Sequence, residues 1–160
     1  MFFIKTKKLV LSGVIAAVYV VITVVFQPIS FGPMQLRVSE ALTILPFIEP
    51  LFIPGLYVGV LVSNLIAGLG AWDIWFGSFL TLIAAILTWK MPNKYLAALP
   101  PILVNAFGVS AYVAPLYEVP YWPTVLSIGV GQAIVLYLLG IPLLKIFEKY
   151  YKGKNIKTNK

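Results

Sequence analysis

The sequence predicts an all-α integral membrane protein: a bundle of six transmembrane helices with a short second helix and both termini in the cytoplasm. Three observations predict it. The 160-residue chain is 61% hydrophobic and 11% charged, against roughly 45–50% and about 25% in ordinary globular domains, and its mean hydropathy is +0.96. Five runs, 9–36, 50–72, 74–89, 95–117 and 119–144, contain no Asp, Glu, Lys or Arg. The lysines fall in clusters at 5–8, 90–94 and 145–160, outside those runs, as they do in the cytoplasmic loops and ends of membrane proteins.

Helix 1 is expected over 9–26, ended by Gln27-Pro28. It exceeds a typical signal-peptide core and no small-residue cleavage site follows, so it reads as a retained helix. Helix 2, RVSEALTILPFIE (37–49), is short and charged at both ends. Hydropathy alone would omit it; orientation includes it. With five spans one lysine cluster is stranded outside, whereas with six all three clusters are cytoplasmic and Arg37 is external. Helix 3 is expected over 54–71, with Pro54 in its first turn. Helix 4 runs over 75–90 and stops before Met91-Pro92. Helix 5 covers 96–117. Helix 6 covers 121–147 and passes Pro142, a potential kink. Residues 1–150 form one transmembrane domain and 151–160 a basic cytoplasmic tail.

Six helices of ~20 residues consume roughly 120 positions, which leaves no room for a soluble catalytic domain. There is no cysteine and no histidine, so disulfides, thiolate nucleophiles and the commonest general base and metal ligand are absent. The acids are only Glu40, Glu49, Asp73, Glu118 and Glu148. No catalytic residue, metal site or cofactor is expected, and no phosphate-binding G-x-x-x-x-G-K-[ST] motif occurs. The net charge of +7 is concentrated at the two ends, a membrane-topology pattern rather than a nucleic-acid one.

Polar side chains within hydrocarbon are costly unless they pair or face a cavity, which makes their positions informative. In the six-span topology Arg37, Glu40, Asp73 and Glu118 fall on the external side. Asn64, Asn105 and Gln132 lie nearer the midplane. Together these seven would line a pocket open to the outside. Each has a plainer reading as well. Arg37 and Glu40 at i,i+3 neutralise one another, the amides serve as interhelical hydrogen-bond glue, Asp73 caps helix 4, and Glu118 is a solvated loop acid. On helix 1, Gly13 and Ala17 form a small-residue face that lets another helix approach closely. The loop 27–36, QPISFGPMQL, carries Phe31, Met34 and Gln35 above the pocket and suits a gate that excludes water.

QPISFGPMQLRVSEALTILPF (27–47), NLIAGLGAWDIWFGSFLTLIAA (64–85) and LPPILVNAFG (99–108) resemble, in order, segments of the QueT family, and the likeness runs from about residue 9 to 150. These are substrate-binding S components of energy-coupling-factor (ECF) transporters for queuosine precursors. The resemblance implies six helices, a pocket near the outer face, a shared transmembrane T subunit and two cytoplasmic ATPases in a prokaryotic plasma membrane. It also implies that the helix 1 face at Gly13 and Ala17 docks on the T subunit. Gln132 departs from the acid expected at that position. The ligand would be a 7-deazaguanine: one carboxylate, Glu40 or Asp73, accepts the two adjacent donors of the guanine edge, and amides or Arg37 donate to the exocyclic oxygen. Three other readings stand beside this one: an S component for another vitamin, a standalone ion-coupled carrier, and a membrane subunit with no transport role.

Overall fold

The computed structural model describes residues 2–30, 36–68 and 70–152. Among the described residues the chain is all-helical, with no strand. The principal helices are α1 (Phe2–Val25), α2 (Val38–Phe47), α3 (Phe52–Ala67), α4 (Trp72–Trp89), α5 (Leu96–Leu116) and α6 (Tyr121–Tyr150). A four-residue turn, Gln27–Ser30, follows α1. The last three are long and apolar enough to cross a membrane; Leu9–Val25 of α1, α2 and α3 are shorter apolar helices. Phe31, Met34 and Gln35, expected in a gating loop, lie outside the described residues.

The bundle is apolar outside and polar within. Val14, Val18, Val21 and Val25 on α1 are exposed, as are Leu126, Val130, Ile134 and Leu138 at i,i+4 spacing along α6. Arg37, Glu40, Asn64, Asp73, Asn105 and Gln132 are buried. Water as the surrounding solvent would favour the reverse; hydrocarbon favours this arrangement. Trp72, Trp75 and Trp122 are exposed near the starts of α4 and α6, and Trp89 at the end of α4, where interfacial aromatics belong.

α2 is the internal strut. It is a 3₁₀ helix, and Ser39 to Pro46 are all buried. Leu42 and Leu45 pack with Ile15, Phe52 and Leu56, while Ile44 packs with Leu136 and Leu144. Gly140 lets α6 close on it: a Cβ there would stand 3.3 Å from the Ala41 carbonyl oxygen. A 3₁₀ run of this length is uncommon; contact on several sides holds it. Arg37 precedes its first turn in extended backbone, with its carbonyl oxygen accepting from Glu40 N–H at 3.0 Å, and the two side chains border the same cavity.

α1 packs along α3 through small residues. A Cβ on Gly55 would fall on the Ser12 carbonyl oxygen, and one on Gly59 would lie 3.0 Å from Tyr19 Cβ and 3.1 Å from the Ala16 oxygen. This Gly-x-x-x-Gly contact uses the side of α1 carrying Ser12, Ala16 and Tyr19. Gly13 and Ala17 remain exposed, and nothing lies within 4 Å of where a Gly13 Cβ would be.

Two of the boundaries that differ from expectation bear on the site. α3 ends at Ala67, not 71, because Gly68 adopts φ 66° and closes the helix by donating its N–H to Asn64 O, a left-handed termination that glycine accepts without strain. Asn64 therefore lies in the last turn rather than mid-helix. α4 begins at Trp72 rather than 75, so Asp73 is inside the helix and its side chain is not an N-cap.

Candidate functional site

The helices around the site depart from α geometry where they meet it. α4 opens with a π turn, Trp72–Gly77, that contains Asp73. α5 holds a π turn, Asn105–Val109, that begins at Asn105. α6 has one at Leu136–Gly140, after Gln132 and just ahead of Pro142, whose missing N–H already interrupts the ladder. Such turns rotate side chains off the regular helical face and recur at functional sites. Gly77 completes the arrangement: a Cβ there would lie 2.9 Å from the Tyr112 hydroxyl and 3.4 Å from Asp73 Oδ1.

Two hydrogen-bonded groups result. In the first, Arg37 Nη2 reaches Asp73 Oδ1 at 3.1 Å, Nη1 donates to Asn64 Oδ1 at 3.1 Å, and Nε donates to Ser30 O at 3.3 Å. Asn64 Nδ2 donates to the Asp73 carbonyl oxygen at 2.6 Å and to Ser78 Oγ at 3.3 Å. The Tyr112 hydroxyl donates to Asp73 Oδ1 at 2.7 Å. In the second, the Tyr19 hydroxyl donates to Glu40 Oε1 at 2.6 Å, and Asn105 Nδ2 donates to Oε2 at 3.3 Å.

Between them lies a cavity lined by Arg37, Glu40, Gly77, Thr81, Asn105, Val109, Tyr112, Ile128 and Gln132, with a volume of about 10 Å³. That is room for about one water and far less than a bicyclic base occupies, so admitting such a ligand requires the walls to part. Gln132 lines this cavity, and its Oε1 is buried without a hydrogen-bond partner. A buried acceptor left in that state costs about 1–3 kcal/mol, which a ligand N–H in the cavity would offset.

The structure brings together Arg37, Glu40, Asn105 and Gln132 at the cavity wall. Asn64 and Asp73 stand behind Arg37 and are bonded to it. Glu118 does not join them. It is exposed, in the turn between α5 and α6, with φ 53°; the chain reverses there and the side chain faces outward. Tyr19, Tyr112 and Thr81 were not anticipated. Ser12, Tyr19 and Thr23 form a polar stripe at helical spacing on α1, and Tyr112 follows Asn105 by seven residues; either pattern is readable in the sequence. Among the described residues no group of acids forms a metal-binding cluster.

The family model described as QueT transporter matches residues 9–149. The chain belongs to the QueT transporter family, a family of membrane transporters rather than enzymes. It is also similar to the Queuosine precursor transporter QueT of Lactococcus lactis subsp. cremoris (strain MG1363), with 35% identity over 65 residues, covering 39% of this chain and 38% of that relative. The similarity thus spans well under half the length of that relative. No solved structure matches the chain.

Proposed function

We propose that this chain is the substrate-binding membrane subunit of an ECF-type ATP-driven importer and takes up a queuosine precursor of the 7-deazaguanine class. The observation that carries the reading is the unpartnered Gln132 Oε1 on a cavity that also exposes the Glu40 carboxylate and the Asn105 and Arg37 donors. A 7-deazaguanine matches that set. Its ring N–H and one amine N–H are adjacent donors for the Glu40 carboxylate, the second amine N–H is a donor for Gln132, and its exocyclic oxygen accepts from Asn105 or Arg37. Tyr112 supplies an aromatic ring on which a planar base can stack.

The topology that goes with this reading has six spans, both termini cytoplasmic, and the cavity toward the outer face of a prokaryotic plasma membrane. The lysine clusters support it. The energy comes from other chains, a T subunit and two cytoplasmic ATPases. The exposed Gly13–Ala17 face of α1 suits close approach by a T-subunit helix, and beside Gly13 runs an apolar groove of about 500 Å³.

Calorimetric titration of the purified chain with 7-aminomethyl- and 7-cyano-7-deazaguanine tests the ligand. At least one should bind, and Glu40→Gln should weaken it roughly 30-fold or more, the loss expected when one partner of a buried charged hydrogen bond is removed, about 2–5 kcal/mol. Failure of both to bind rejects the ligand class. Uptake by cells lacking the ATPase subunits tests the energy source: uptake that persists there but collapses with a protonophore would identify an ion-coupled carrier instead.

A further inference from the structure

Tyr19 lies on the inner side of α1 and is fully buried. It does not line the cavity, yet its hydroxyl bonds a carboxylate that does, at 2.6 Å, the length of an O–H···O⁻ contact. One turn further along, Thr23 Oγ1 lies 2.6 Å from Ser39 Oγ. Two side chains on α1 thus grip two consecutive residues of α2. The outer side of the same helix carries the exposed Gly13 and Ala17, so the inner and outer duties of α1 are back to back.

A glutamate carboxylate turns easily about its last torsion, which has a broad, roughly two-fold profile. Here it is pinned from two sides, by Tyr19 on Oε1 and Asn105 on Oε2. Each carboxylate oxygen has two acceptor sites. One on each is taken, and one on each remains for a pair of adjacent ligand donors.

We propose that Tyr19 is a positioning residue, which holds the Glu40 carboxylate in the orientation that receives the ligand and so makes ligand affinity depend on where α1 lies. This rests on the proposed role of Glu40 in binding a 7-deazaguanine. A partner that draws α1 outward would pull Tyr19 from Glu40 and loosen the ligand from the far side of the helix.

A double-mutant cycle tests it. Tyr19→Phe keeps the ring and its packing and removes only the donor. Glu40→Met keeps the size of the acceptor side chain and removes its oxygens. With 7-aminomethyl-7-deazaguanine as probe, Tyr19→Phe should weaken binding roughly tenfold, as loss of one hydrogen bond to a charged group does. The ligand-free melting temperatures, read in parallel, separate a loss of folding from a loss of binding. In the Glu40→Met background the same change should leave the residual affinity unaltered within a factor of two. Wild-type affinity in Tyr19→Phe, or an equal loss in both backgrounds, overturns the proposal. Wild-type affinity in Glu40→Met would instead remove Glu40 from the site and with it the reading on which the proposal stands.

Discussion

Arg37 Nη2 lies 3.1 Å from Asp73 Oδ1, and the side chains are only 7% and 1% exposed, so a buried ion pair ties the start of α2 to the first turn of α4. Asp73 does not line the cavity; its Oδ1 is taken by Arg37 and Tyr112, while its Oδ2 is buried with no hydrogen-bond partner. The pair holds Arg37, which borders the cavity. Removing one member of such a pair leaves an uncompensated buried charge, at about 3–5 kcal/mol. Asp73→Leu and Arg37→Leu should each lower the melting temperature of the ligand-free protein strongly. Replacing both by leucine should cost less than the sum of the single changes, since neither member of the pair is then buried without the other. Additive losses in that cycle would show that the pair is not energetically coupled.

A second prediction separates the two sides of α1. At Gly55 a methyl group would meet the Ser12 carbonyl oxygen, backbone that moves only with the whole helix. Gly55→Ala should destabilise the isolated chain by about 1–3 kcal/mol, the range for overpacking. Gly13→Ala meets nothing within 4 Å and should leave its melting temperature level or raise it, since alanine is the better helix former by about 1 kcal/mol. Ala17→Trp should not destabilise the isolated chain, yet, on the proposed function, should prevent co-purification with a T subunit. A stability loss at Gly13 or Ala17 matching that at Gly55 would place those residues inside the bundle.

Much of this was legible in the sequence because bilayer solvation is demanding. Uncharged runs mark the helices other than α2, which the lysine pattern adds, and the polar residues Arg37, Glu40, Asn105 and Gln132 stand out against them. What escaped was local. The end of α3 depends on one left-handed glycine, Gly68, which an apolar run does not reveal. The π turns depend on tertiary contacts, such as Tyr112 reaching Asp73 across Gly77. Tyr19 does not stand out in the sequence, because a tyrosine in an apolar helix has no distinguishing mark until its partner, Glu40, is placed. Gly55 and Gly59 are not conspicuous in the sequence because the small residues of α1 point to its outer side, whereas its inner contact is written on α3.

Glu118 yields a third prediction. It adopts φ 53° where the chain leaves α5, with Tyr117 N–H bonded to Val113 O and Val119 N–H to Ala114 O at 2.9 Å. That is the left-handed helix end at which glycine is usual, and left-handed geometry costs a residue with a side chain about 1–2 kcal/mol. Glu118→Gly should therefore raise the melting temperature or leave it level, despite glycine's greater unfolded-state entropy. Because the carboxylate faces outward, ligand affinity should not change. A fall in affinity of more than threefold would return Glu118 to the binding site.

The fourth prediction concerns Gln132, where stability and binding should move in opposite directions. Its Oε1 is buried with no partner, so the ligand-free protein bears a desolvated acceptor, a cost of about 1–3 kcal/mol. Gln132→Met keeps the length of the side chain and removes that acceptor. The ligand-free protein should melt at the same temperature or higher, since an apolar group at the cavity wall leaves nothing unsatisfied. The ligand should bind roughly tenfold or more weakly, because one of its donors would then be buried without a partner. A purely structural amide would give the other result: replacing it would lower stability and leave affinity alone. Measuring both quantities on the same preparation distinguishes the two roles, and Gln132→Glu adds a third point. A carboxylate accepts the same donor more strongly, so that variant should bind at least as tightly as wild type while losing stability in the ligand-free state, where the added charge is buried beside Glu40 across the same cavity.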